Sequence, residues 1–180
     1  MLYANEFFDA LPIHQFIKIN NNWHERLIDL DLNNNLEFIA DNKPSLYEKI
    51  LPKNSQNSEI IEFSPAAIQI VSSLTKRVLA TGGIILIIDY ALSDKDTFGS
   101  LQAVKDHKYI DPLSDPGNSD LSSKVNFSIL TKVAKELNAK VHGPIKQKVL
   151  LKNLGIELRC EQLIQNNPSK KKSIMNDYNR

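Results

Sequence analysis

The stretch "GGIILIIDY", residues 82–90, decides the fold. Gly82 and Gly83 end whatever precedes them, and Ile84, Ile85, Leu86, Ile87 and Ile88 follow without a polar residue. An uninterrupted β-branched run of this length reads as a strand buried on both faces, as in a parallel sheet covered by helices. Just upstream, Ser64 suits a helix N-cap and Pro65 the first helical position. Ala67, Ile68, Val71, Leu74, Val78 and Leu79 then recur at helical spacing. Helix, glycine turn and buried strand make the second half of a βαβ unit, so the expected class is α/β with a parallel sheet. Ligands of such sheets sit beyond the C-terminal strand ends, where Asp89 and Tyr90 stand. They are candidate substrate contacts, or merely a strand running into solvent.

A second strand end lies near the N-terminus, in "ANEFFDALP", residues 4–12. Leu2, Tyr3 and Ala4 read as the end of a strand. Asn5 then reads as the cap of a short helix through Leu11, stopped by Pro12. Under that reading Glu6 and Asp9 favour the positive end of the helix dipole. Asn5, Glu6 and Asp9 equally suit the polar floor of a substrate pocket.

Residues 14–40 alternate apolar and polar, with asparagine-rich turns at 20–22 and 33–35, and predict a three-stranded antiparallel meander. A short helix is expected around Tyr47 and a strand over 59–63. Residues 91–120 read as one long loop holding His107 and, at its end, Asp120, and long loops in compact domains are usually functional. A helix is expected over 127–137, a short strand over 140–142 ending at His142, and helices over 146–154 and 156–164. The chain thus divides into one domain, 1–165, and a polar tail, 166–180, that includes Lys170, Lys171 and Lys172.

Composition removes several functions. Of 180 residues, 22 are Lys or Arg and 21 Asp or Glu, a balance that gives no electrostatic case for nucleic acid or an anionic membrane surface. Cys160 is the single cysteine, and no zinc-type spacing, phosphate loop or nucleophile elbow is present. The longest apolar run is too short to span a bilayer. The chain reads as soluble and cytoplasmic.

Seven segments, in order, resemble one family: "ANEFFDALPIHQF", the W-x-E-R of Trp23 to Arg26, the "EFSPA" of Glu62 to Ala66, "GGIILIIDY", "LQAVKDHKYIDPLSDPGNSDL", "VHGPIKQ" and "LGIELR". They are similar to the MidA-type S-adenosylmethionine-dependent methyltransferases, bacterial relatives of the mitochondrial arginine methyltransferase that assists complex I assembly. The resemblance implies a class I, Rossmann-like methyltransferase fold with the meander as an insertion, and S-adenosyl-L-methionine as cofactor. It implies Asn5, Glu6 and Asp9 as catalytic, with Asn5 and Glu6 also bordering the cofactor. It implies Asp89, Tyr90, His107, Asp120 and His142 around the substrate. A protein arginine is the expected acceptor, in a complex I subunit for the eukaryotic members, which work in the mitochondrial matrix.

The same resemblance predicts that the main cofactor-binding segments, a glycine-rich loop and an acidic residue after the family's first two strands, lie upstream of the motifs present here. The chain is then expected to be the C-terminal portion of a methyltransferase domain. It would be completed by a separately encoded N-terminal fragment, be an inactive remnant, or be a binding module for the family's protein partner. Lys124 and Asn126 stand where the family usually has histidine and aspartate, and Ala91 where glycine is usual.

Overall fold

The computed structural model describes residues 1–49, 51–53, 55–93 and 96–179. The chain divides into two compact units, Met1–Val141 and His142–Arg180. The first contains β1 (Leu2–Asn5), β2 (His14–Ile19), β3 (Asn22–Leu30), β4 (Leu36–Pro44), β5 (Ile60–Phe63), α1 (Pro65–Thr81) and β6 (Ile85–Ile88). It continues with β7 (Gln102–Lys105), β8 (Lys108–Ile110), β9 (Asp120–Ser122) and α2 (Phe127–Glu136). The second contains α3 (Gln147–Asn153), α4 (Ile156–Asn166), a 3-10 turn at Pro168–Lys170 and α5 (Lys171–Tyr178).

β1 and β6 pair in parallel, from Leu2 opposite Ile85 to Asn5 opposite Ile88. The α/β class and the parallel pair are as expected. The aliphatic run is less buried than expected: Ile85 to Ile88 are half-buried and Ile84 is 67% exposed. β1 is the sole strand partner of β6 among the described residues. One face is covered: Ala4, Ile87 and Phe8 pack with Ala67 and Val71 of α1, Val125, and Leu130 of α2. α1 begins as its sequence dictates, with the Ser64 hydroxyl accepting from the Ala67 N–H at 3.1 Å. It ends at Gly82, whose φ of 74° suits a residue without a Cβ. Thr75, not Leu79, completes its buried stripe.

The meander forms a four-stranded antiparallel sheet in the order β4-β3-β2-β5. Asn20 and Asn21, at φ 49° and 65°, make the two-residue turn between β2 and β3, the turn whose twist matches a hairpin. At the next turn the Asp31 carboxylate accepts from the Asn33 and Asn35 N–H groups. Phe16, Trp23 and Leu51 form the core of this sheet with Ile61 and Phe63. The expected helix around Tyr47 is only a hydrogen-bonded turn in the described residues, whose Ser45 Oγ accepts from the Tyr47 N–H.

Three further expectations are corrected. Residues 91–120 are not one loop, because β7, β8 and β9 form a three-stranded antiparallel sheet there. Residues 140–142 join no strand, having no ladder partner among the described residues. Residues 166–180 are not a plain tail. They include α5, tied to α4 by the Tyr178 hydroxyl donating to Glu157 at 3.1 Å and by the Met175 and Cys160 sulfurs at 4.0 Å.

A buried polar network locks the meander to the rest of its unit. Glu62, 4% exposed, accepts from Gln15 Nε2 at 2.6 Å, from the Ser100 N–H at 2.8 Å and hydroxyl at 2.5 Å, and from the Leu101 N–H at 3.2 Å. Arg26 donates to Gln15 Oε1 at 3.1 Å and lies over the Phe38 ring. Burial pulls the Arg26 guanidinium below its ordinary value, and the Glu62 charge opposes that. Gly99 is required at this crossing: a Cβ there would lie 3.2 Å from Glu62 Oε1, and its φ is +86°. We expect Glu62→Ala to lower the unfolding free energy by about 3 kcal/mol, because buried donors lose a charged acceptor. Urea denaturation measures this, and a loss below about 1 kcal/mol would show the network to be dispensable.

Candidate functional site

Both parallel strands end side by side. The Glu6 N–H donates to Ile88 O at 3.0 Å, one residue past the last strand pair. The chain then turns sharply, with Glu6 at φ 46°. The expected helix from Asn5 to Leu11 does not form. Its capping group is Asp89 on the neighbouring strand, not Asn5. Asp89 Oδ2 accepts from the N–H groups of Phe7, Phe8 and Asp9 at 3.2, 2.9 and 3.3 Å. Asp89 Oδ1 accepts from the Tyr90 N–H at 2.8 Å. A turn of consecutive N–H groups is an anion nest, and here a carboxylate of the same chain fills it. The Asp89 carboxylate is therefore committed to backbone.

The turn is held from both sides. Phe8, 3% exposed, anchors it in the core, and the Ser123 N–H donates to Asp9 O at 2.9 Å. The Val125 N–H donates to Tyr90 O at 2.7 Å. What remains accessible is Asn5, the Glu6 carboxylate, the Phe7 ring, the half-buried Asp9 and Tyr90, whose hydroxyl donates to Glu6 Oε1 at 3.5 Å. Burial, then the charges of Asp89 and Glu6, push the Asp9 carboxyl above its ordinary range. Glu6, then burial, raises the Tyr90 phenol. The cluster thus offers acidic acceptors to a cation.

Five of the eight candidates from sequence meet here: Asn5, Glu6, Asp9, Asp89 and Tyr90. His107 does not join them through any contact; it forms the β7–β8 turn with Asp106, at φ 60° and 50°. Asp120 opens β9 as an exposed ladder residue opposite Val104. His142 opens the second unit. Lys124 pairs with Asp96 at 2.5 Å, and Asn126 caps α2 by accepting from the Ile129 N–H at 3.2 Å, so both take structural roles. Sequence reasoning missed Glu62 as an anchor, though an acid inside the apolar strand sequence "IIEF" was the available signal.

Two predictions follow from this geometry. Glu6 has a side chain in a backbone region that favours glycine, at a strain of about 1 kcal/mol. Glu6→Gly should therefore unfold at equal or higher urea concentration than the parent; clear destabilisation would show that the side chain itself holds the turn. Asp9 has its neutral form favoured in the fold. Its contribution is full below the unfolded-state value of 3.8 and is lost as pH rises through the raised folded value. Asp9→Asn should then exceed the parent in stability at neutral pH and match it in strong acid. Urea melts across a pH series decide, and a variant less stable at neutral pH contradicts the assignment.

Comparison with known proteins places this geometry in context. Residues 1–145 match the family described as "Putative S-adenosyl-L-methionine-dependent methyltransferase". The mitochondrial protein arginine methyltransferase NDUFAF7 of Xenopus laevis is 37% identical over 182 residues, covering 98% of this chain and 41% of the relative. The Homo sapiens protein of that name is 34% identical over 179 residues, covering 97% of this chain and 40% of its own length. The chain thus spans about two fifths of these relatives. Two solved structures of one superfamily from Burkholderia thailandensis superpose with a TM-score of 0.81 at 20% identity, over 97% of this chain and 47% and 48% of theirs. One of them has S-adenosyl-homocysteine bound. They share the fold.

Proposed function

The chain belongs to the S-adenosyl-L-methionine-dependent methyltransferase family, of the MidA type, and from that premise we propose that it forms the acceptor-side portion of a protein arginine methyltransferase. The observation that carries the proposal is Glu6: an exposed carboxylate at the end of a parallel strand pair, in a strained backbone, with Asp9 and Tyr90 beside it. A donor set of carboxylates and one phenol fits cations, which both the sulfonium of the cofactor and the acceptor guanidinium are. Asn5 and Glu6 are the residues that would border the cofactor's reactive end. When bound, S-adenosyl-L-methionine supplies the methyl group as an electrophile. The adenosine end is assigned to the part of the family's length that this chain, spanning about two fifths of its relatives, does not cover.

The acceptor's chemistry explains the acids. A guanidinium is protonated and planar, so a nucleophilic nitrogen must be oriented and must shed a proton. Glu6 pairs with the guanidinium fork and aims one nitrogen. Asp9, whose carboxyl sits above the ordinary range, accepts the proton released as the N–C bond forms. Asp89 holds both side chains in place through the backbone of the turn. His107 and Asp120 are assigned to wider contacts with the acceptor polypeptide. A complex I subunit is the acceptor that the family resemblance suggests.

The test is transfer of labelled methyl from S-adenosyl-L-methionine to an arginine-containing protein. It is run with this chain alone and mixed with the N-terminal portion of a family member. We expect transfer only in the mixture, and a fall of about 100-fold or more for Glu6→Gln. Wild-type rates for that variant contradict the role of Glu6. Micromolar binding of the cofactor by this chain alone contradicts the assignment of its site to other segments.

A further inference from the structure

We propose that the groove between β5 and α2 docks an extended polypeptide segment that carries aliphatic residues beside basic ones. The groove is a cavity of about 620 Å³, within the range of sites that bury a ligand. It lies apart from Glu6, and none of the residues Asn5, Glu6, Asp9, Asp89 or Tyr90 lines it. One wall is β5, the edge strand of the meander sheet. The other is a single face of α2, with Ile129, Lys132, Val133 and Glu136 at helical spacing.

Shape and charge select the occupant. The α2 face from Ile129 to Glu136 runs about 10 Å at 1.5 Å per residue, the length of about three extended residues. Ile61, Phe63, Ile68, Leu92, Ile129 and Val133 make the lining apolar. Its described charged residues are Glu59, Glu62, Asp96 and Glu136 against Lys132 alone. Glu62 is consumed by the Gln15 and Ser100 network, and Asp96 pairs with Lys124. Glu136 meets Lys132 only at 4.0 Å, with both side chains well exposed. Glu59 engages the Gln56 N–H. A surplus of carboxylate thus rims an apolar trough, and it complements a segment whose aliphatic side chains fill the trough while its lysine or arginine meets Glu59 and Glu136. An acidic peptide meets repulsion at the same places.

The inference deepens the reading above, because a methylated polypeptide needs a foothold beyond its reacting side chain. It is tested by binding alone, without cofactor or methyl transfer, so its failure leaves the role of Glu6 standing. The probes are fluorescein-labelled hexapeptides, one with two leucines followed by two arginines and one with glutamates in place of the arginines. Anisotropy titrations of the full chain should give saturable binding of the arginine peptide, about tenfold or more tighter than the glutamate peptide. Glu59→Lys with Glu136→Lys should weaken the arginine peptide by about tenfold or more and reverse the preference. Glu136→Lys alone, on a well-exposed side chain, should show part of the effect with an unchanged thermal melt. Equal binding of the two peptides, unchanged binding by the charge variants, or a dimer of this chain that excludes both peptides would overturn the proposal.

Discussion

One carboxylate organises the site. Asp89 reaches across from the end of β6 and takes three successive N–H groups of the turn that follows β1. Each is a hydrogen bond to a charged acceptor, a class worth about 1.5–3 kcal/mol when partly screened from water. Without it, the part-buried N–H groups of Phe8 and Asp9 would lose their acceptor beside a packed core. The bond set also joins residues 80 to 82 positions apart, so the turn takes shape only when the parallel pair is in register. The strained backbone at Glu6 persists because both sides of it are fixed, by Ile88 O before and Asp89 after.

A second carboxylate does comparable work for the other half of the unit. Glu62 gathers Gln15, Ser100 and Leu101, and Gln15 gathers Arg26. The meander is thereby pinned to the segment that leads into β7. Two family motifs, the W-x-E-R of residues 23–26 and the "EFSPA" of residues 62–66, are explained by packing and by this network. Trp23 fills the sheet core and donates to Pro52 O at 2.9 Å, Glu25 pairs with His14 at 2.5 Å, and Ser64 caps α1.

Much of the architecture was legible in the sequence because local signals agreed with the fold. Asparagine pairs marked the meander turns, Ser64 with Pro65 marked the start of α1, and the aliphatic run marked β6. What failed was non-local. Asn5 has the right chemistry for a cap, but the group that caps the turn lies on another strand, which no local pattern reveals. The short strands β7 to β9 sit among Asp, Ser, Pro and Gly residues, and the turn at Asp106 and His107 uses none of the usual glycine. The lysines at 170–172 suggested solvent, whereas Met175 and Tyr178 further on fasten α5 to α4. Within the site, the motifs named residues that the fold brings together, but no local pattern showed that the Asp89 oxygens accept from the backbone of the neighbouring turn.

The most direct measurement is amide hydrogen exchange, resolved residue by residue, on the unmodified chain at neutral pH. If Asp89 holds the turn, the amides of Phe7, Phe8 and Asp9 are protected together and to a common degree, and all three lose that protection when Asp89 is replaced by alanine. Exchange of these three amides at the rate of an unstructured peptide in the unmodified chain would contradict the account.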